Sequence, residues 1–163
     1  MSPPGRRYKL VALGGTFDML HAGHEHLLSE AFQLGDNVVI GVTSDRLVRS
    51  LRKNHMVRPY FQRVRDLRKF LRTHRWSSRA RIRELNEPYG PAARRRGLQA
   101  LIVSRSTLSS GRRLNKLRNE GGLSRLDLRI VNLLPAADGK PISTTRIRAG
   151  EIDFRGRLLK GSG

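Results

Sequence analysis

Cysteine is absent from these 163 residues, acidic side chains are scarce, and aromatic ones make up only 6%. Without cysteine there can be no disulfide, no thiolate nucleophile and no thiolate metal site. The thin aromatic content argues against a stacked-ring platform for single-stranded nucleic acid. No apolar run approaches the roughly 18 residues that a membrane-crossing helix needs, and the opening Met-Ser-Pro-Pro-Gly-Arg-Arg has no signal-peptide core. A soluble, cytoplasmic protein is the expectation. The length and the 37% hydrophobic content suit one core, so we expect a single domain over 1–163, with 1–7 and 156–163 as flexible tails.

The shortage of acids is the oddity, since 33 Lys and Arg face 13 Asp and Glu for a net charge of +20. Between Arg46 and Arg83, fourteen basic residues stand against Asp66 alone, a local +13. Such a field draws in nucleotides and phosphorylated substrates, and could equally hold RNA or DNA through salt-sensitive contacts. The plainer reading is a solvated surface that serves solubility.

What is present is a glycine loop between a strand-like and a helix-like run. Tyr8 to Leu13 is short and apolar, Gly14-Gly15-Thr16-Phe17 follows, and Leu27, Leu28, Ala31 and Leu34 then recur at helical spacing before Gly35, read as a C-cap. The free N–H groups and dipole of such a helix start favour a bound phosphate. Gly14 and Gly15 permit close ligand approach, and Thr16 offers a hydroxyl. His21 and His24, three apart, fall on roughly one face at the helix start, where both could donate to a triphosphate. The loop lacks the Gly-Lys-Ser/Thr of a Walker motif and the Gly-x-Gly-x-x-Gly of a dinucleotide fold. A zinc site fits poorly without cysteine or a His-Glu-x-x-His helix, and the remaining alternative is a pair of histidines that cap or pack.

The rest of the chain alternates strands and helices. Strands are expected at Asn37 to Thr43, Arg79 to Leu85 (near an edge), Leu98 to Ser104 and Leu126 to Leu134. A long helix from Pro59 to about His74 would bury Phe61, Val64, Leu67 and Leu71, and Thr43 or Ser44 would cap another. Asp138-Gly139 marks a turn, and Ser143-Thr144-Thr145 opens a short helix ending near Gly150, either a plain cap or a second group of phosphate donors. Five strands in this rhythm predict a Rossmann-like, doubly wound five-stranded parallel α/β sheet that binds ligands at the carboxyl ends of its strands.

His21-Ala22-Gly23-His24 and Ile142-Ser143-Thr144-Thr145-Arg146-Ile147-Arg148 resemble the two signatures of the nucleotidylyltransferase superfamily. Gly41-Val42-Thr43-Ser44-Asp45, Arg58-Pro59-Tyr60, Glu87-Pro88-Tyr89-Gly90-Pro91 and Asp138-Gly139-Lys140-Pro141 are similar to the archaeal phosphopantetheine adenylyltransferases, so the likeness spans Lys9 to Asp153. The resemblance implies transfer of AMP from ATP to 4′-phosphopantetheine, giving dephospho-coenzyme A and pyrophosphate. It implies catalytic roles for His24, His21 and Lys53. ATP would be bound by Gly14, Gly15, Thr16, Phe17, His21, His24, Ser143, Thr144, Thr145 and Arg146, and the acceptor phosphate by Thr16, Lys53 and Arg52. Magnesium would be held mainly by ATP phosphates and water, with no direct protein site and Asp18 as an indirect ligand. By the same resemblance the loop at Glu87 to Pro91 closes over the substrate side. One departure is Ser106, where relatives carry glutamate. The rivals are a cytidylyltransferase making a CDP-alcohol and a nucleic-acid-binding protein on this scaffold.

Overall fold

In the computed structural model, which describes residues 5, 7–51 and 56–161, five strands form one parallel sheet. They are β1 (Tyr8–Gly15), β2 (Gly35–Thr43), β3 (Ala80–Leu85), β4 (Ala100–Val103) and β5 (Asp127–Ile130), ordered β3-β2-β1-β4-β5. Helices α1 (Ala22–Leu34), α2 (Asp45–Ser50), α3 (Tyr60–Thr73), α4 (Leu108–Glu120) and α5 (Thr144–Arg148) follow the strands or close the chain. The order reverses beside β1, because β2 pairs with one flank and β4 with the other. That places a crevice at the carboxyl ends of β1 and β4.

Alternation along the strands separates two apolar layers. Val11, Leu13, Val38, Ile40 and Val42 pack with Leu28, Ala31 and Phe32 of α1 and with Val64, Leu67 and Leu71 of α3. The opposite face, with Ala12 and Val39, packs with Leu98, Leu114 and Leu126. Small residues on that second face, including Gly14 and Gly41, leave open space above it.

Several expectations change. Gly35 caps α1 as expected, its N–H donating to the Ala31 carbonyl, but in an extended conformation at φ −114° that runs directly into β2. Its glycine has a packing reason, since a Cβ there would lie 2.7 Å from Val11 Cγ2. Phe61 is 66% exposed, because it sits roughly 100° around the helix from the stripe of Val64, Leu67 and Leu71. The fifth strand stops at Ile130, where its partner β4 ends, and Leu133 and Leu134 are exposed. Residues 156–161 are tied in place: Ala137 donates to the Gly156 carbonyl, Leu159 donates to the Glu151 carbonyl, and Ile152 bridges Leu158. The cap at Ser44, the edge position of β3, the 138–139 turn and the Ser143 cap stand as expected.

The interior position on α3 next to Val64 is taken by an arginine. Arg63 is fully buried, yet every branch of its fork has an acceptor: Nε donates to the Arg58 carbonyl (2.8 Å), Nη1 to the Thr16 carbonyl (2.9 Å), and Nη2 to Asp45 Oδ1 (3.0 Å). The same Asp45 oxygen accepts from the Tyr60 N–H at 2.8 Å. One side chain thus binds the loop after β1 to the starts of α2 and α3. Arg63→Met keeps the bulk but removes the donor to the Arg58 and Thr16 carbonyls and the cation beside Asp45, and should lower unfolding free energy by about 2–4 kcal/mol. Urea midpoints at unchanged slope would measure it, and a near-zero shift would show the fork to be dispensable.

Candidate active site

The loop after β1 owes its shape to two aromatic positions. Phe17, 1% exposed, lies in the left-handed region at φ +52°, an uncommon state for a bulky residue and often a mark of a functional turn. Its ring covers Gly15, where a Cβ would lie 3.2 Å away, and meets the His24 ring with centroids 5.3 Å apart. Beside it, the Thr43 hydroxyl donates to Thr16 Oγ1 at 3.3 Å, joining the ends of β1 and β2.

At the start of α1 the two histidines cap the helix reciprocally. His21 Nδ1 accepts from the Gly23 N–H at 3.1 Å, and His24 Nδ1 accepts from the His21 N–H at 3.3 Å. Their rings lie 3.8 Å apart. The fold explains the glycine between them, because a Cβ at position 23 would stand 2.9 Å from His21 Cε1. With its Nδ1 accepting, the neutral His21 ring carries its proton on Nε2, an atom that can donate to a ligand, whereas the His24 ring also bonds the Met19 backbone. Burial lowers the His21 pKa to about 4. It also lowers that of His24 to about 3, helped by repulsion from His21 and opposed by Asp18 and a hydrogen bond to the Met19 backbone. Capping and ligand donation are therefore compatible roles for His21, on opposite nitrogens of one ring.

Asp18, 3% exposed, anchors the loop from below. Its carboxylate accepts from the Arg58 N–H (3.0 Å), Arg58 Nε (3.3 Å) and Arg148 Nη2 (2.7 Å), and Arg58 also donates to the Asp18 carbonyl. Burial alone would raise its pKa, but these bonds outweigh it and hold the carboxyl below its ordinary value. Both oxygens are thus engaged by arginine. Among the described residues no three His, Asp or Glu side chains converge as a metal cluster.

The two signature stretches meet. Ile142 and Ile147 pack with Met19 and Ala22, and Arg148 spans 130 residues to reach Asp18. Ser143 Oγ accepts from the Arg146 N–H at 3.3 Å, Thr144 is half-buried, and Thr145 is exposed at the helix start. Arg146 departs from expectation: its guanidinium is bound to Asp138 (2.6 Å), Glu151 (2.8 Å) and the Pro141 carbonyl, so it braces the 138–141 turn and is not directed at a phosphate. Lys53 and Arg52 lie outside the described residues. The fixed roles of Arg58, Arg63 and Arg148 were missed in the sequence, where only the place of Arg63 four residues before Leu67 hinted at burial.

Beside Gly14 to Thr16 opens a cavity of about 360 Å³. Its floor is apolar, with Ala12, Val39 and Leu114 among the lining residues. Pro88, Tyr89 and Pro91 stand on its rim, and Arg83 and Arg95 also reach it. Arg95 Nε is buried without a hydrogen-bond partner. The turn that carries Arg95 is held by the buried Arg118, which donates to the carbonyls of Ala92 (2.6 Å) and Arg95 (3.0 Å). Ser106 joins Ser104 in a hydroxyl pair at 2.8 Å.

With this geometry in view, comparison with known proteins is specific. The chain is 41% identical to the phosphopantetheine adenylyltransferase of Methanothermobacter thermautotrophicus over 155 residues, 95% of this chain and 92% of that one. The chain belongs to this family. The phosphopantetheine adenylyltransferase of Pyrococcus furiosus is 38% identical over 95% of this chain and 96% of its own length. A cytidylyltransferase-like family profile matches residues 12–150. Among solved structures, an Archaeoglobus fulgidus protein described as of unknown function superposes with a TM-score of 0.66 at 32% identity, covering 74% of this chain and 87% of that one. No helix among the described residues is long and apolar enough to cross a membrane.

The lowered histidine pKa values in this phosphopantetheine adenylyltransferase family member have a sign that can be tested. Between the ordinary 6.5 and the folded values near 4 and 3, the unfolded chain binds protons that the folded chain refuses. Their contribution to stability is thus complete above pH 6.5 and is lost as pH falls toward 4. In an NMR titration of the ligand-free protein, the His21 and His24 rings should stay neutral to about pH 5. Midpoints near 6.5 would refute the buried neutral pair.

Proposed function

We propose that this protein transfers the AMP moiety of ATP to the phosphate of 4′-phosphopantetheine. An acceptor phosphate oxygen bonds to the α-phosphorus as the bond from that phosphorus to the bridging oxygen breaks, releasing pyrophosphate. The nucleophile is already ionised, so the protein need not supply a base and acts by alignment and charge stabilisation. The observation that carries this reading is the pair of stacked, desolvated histidines that cap the helix after the Gly14–Thr16 loop, in a chain that aligns with named enzymes along 95% of its length.

In this reading Thr16 orients the acceptor phosphate, and His24 donates to the phosphate on which charge builds, with His21 beside it. Gly14, Gly15 and Phe17 shape the ATP loop, and Ser143, Thr144 and Thr145 line the nucleotide's second side. Lys53 and Arg52 keep the acceptor-phosphate role that the sequence suggests for them. Magnesium would accompany the nucleotide, bound mainly by phosphates and water. The cavity takes the acceptor arm, and the guanidinium of Arg95, which lines it, would donate to one of its amide carbonyls. Arg83 and Arg95 would also repel a cationic acceptor head, which disfavours the cytidylyltransferase reading for choline- or ethanolamine-type acceptors.

A pyrophosphate-release assay with ATP or CTP against a panel of phosphorylated acceptors tests the reading, and a strong preference for CTP would defeat it. His24→Ala should lower kcat by roughly a hundredfold or more while ATP affinity changes little. An unchanged kcat would remove His24 from the mechanism. Arg95→Met should raise the KM for 4′-phosphopantetheine by about tenfold to a hundredfold and leave the KM for ATP and kcat in place. An equal rise in the KM for ATP would contradict an arm contact.

A further inference from the structure

A second depression, of about 410 Å³, lies along the free edge of the sheet and is lined by Arg68 and Arg72 of α3 and by Arg81 and Arg83 of β3. All four are exposed, and none is ion-paired with a carboxylate among the described residues. This sets them apart from Arg58, Arg63, Arg146, Arg148 and Arg157, each bound to an acid. The acid of β3, Glu84, lines a different depression with Arg46 and Arg94. Arg81 also donates to the Ser78 and Ala80 carbonyls and Arg83 to that of Ile82, but gathering four guanidinium groups with no paired carboxylate around one concavity is unfavourable by itself, and a bound polyanion relieves it.

We propose that this edge groove binds the phosphodiester backbone of single-stranded nucleic acid without regard to base sequence. Arg68 and Arg72 stand one helical turn apart, about 6 Å, and Arg81 and Arg83 two strand residues apart, about 7 Å. The result is two rows of phosphate-matching forks on either side of a channel. Arginine presents paired donors that fit phosphate oxygens two at a time. The concave shape suits a strand better than a flat membrane surface. Trp76 is already stacked on Phe32 and His74, and the exposed Phe61, on the same stripe of α3 as Arg68 and Arg72, would stack on any base, so no base preference follows. A second copy of this chain would bring the same arginines against one another and is disfavoured on charge. Apart from Arg83, none of the groove residues lines the acceptor cavity, so binding there is compatible with nucleotide transfer.

The test uses the full chain and a uridine homopolymer oligonucleotide, with affinity followed by fluorescence anisotropy over about 50 to 200 mM salt. Each single-strand phosphate contact contributes about 0.7 to the slope of log K against log salt, so Arg68→Gln/Arg72→Gln/Arg81→Gln should flatten it by about 2. Pyrophosphate release should be unchanged, which also verifies that the variant is folded. Arg83 is kept because it lines the acceptor cavity as well. A charge-matched control, Arg112→Gln/Arg113→Gln/Arg125→Gln, should leave the slope nearly as in the parent protein. Equal flattening by the control would make the binding a property of net charge and overturn the groove. So would an absence of measurable binding by the parent protein at the lowest salt, or displacement of the oligonucleotide by polyglutamate at matched charge.

Discussion

The buried arginine forks are the constraint on which the site depends. A phosphate-binding loop needs its N–H groups and side chains turned toward the ligand, so its carbonyls turn inward, where each requires a donor. Arg63 provides one to Thr16, and Arg58 provides one to Asp18. Arg58 and Arg148 then neutralise the Asp18 carboxylate, so the floor of the loop is a closed charge network and not an apolar layer. Burying such charges does little for net stability. Its effect here is geometric: planar forks with several acceptors each leave the loop, α3 and α5 little freedom to shift relative to one another.

That rigidity gives the histidine pair its chemistry. An imidazole free to rotate would hydrate, titrate near neutrality and lose its aim, whereas each of these rings has Nδ1 fixed by a backbone N–H of its own helix start. A desolvated neutral donor interacts weakly with an uncharged neighbourhood and strongly with a phosphate whose charge is growing. The same burial that makes free imidazolium costly therefore favours stabilisation of charge on a bound triphosphate. Gly23 and Gly15 belong to this arrangement because the rings of His21 and Phe17 occupy the space where their side chains would be.

Much of this was legible in the sequence. Strand and helix rhythm, the glycine loop, the helix starts at Ala22 and Ser143 and the edge position of β3 all rest on local periodicity or capping, which neighbouring residues report faithfully. What was not legible depends on long-range partners. Arg146 and Arg148 are two residues apart on one short helix, and nothing local says that the first turns to Asp138 and Glu151 while the second reaches Asp18. Arg63 hides among 27 arginines, and its burial becomes visible only once Thr16, Arg58 and Asp45 are seen around it. Phe61 failed for the opposite reason, since apolar character was read as burial although its helical angle faces solvent.

The excess charge divides along the same line. Arginines at the loop and at α5 meet carboxylates, and Arg79 and Arg118 are absorbed by backbone carbonyls, Arg79 at those of Gly35 and Asp36 and Arg118 at those of Ser124, Ala92 and Arg95. These cations are structural, and they add no partner beyond the fold itself. The residues that give the surface its field are the others, and along the β3 edge they are concentrated in one concave place. A net charge describes neither group well. A guanidinium whose donors are all taken by the fold offers an anion no hydrogen bond, whereas four exposed ones around a groove act together within a Debye length of about 8 Å at physiological salt. Chemistry at the carboxyl ends of the strands and attraction along the sheet edge are thus separate consequences of one basic composition.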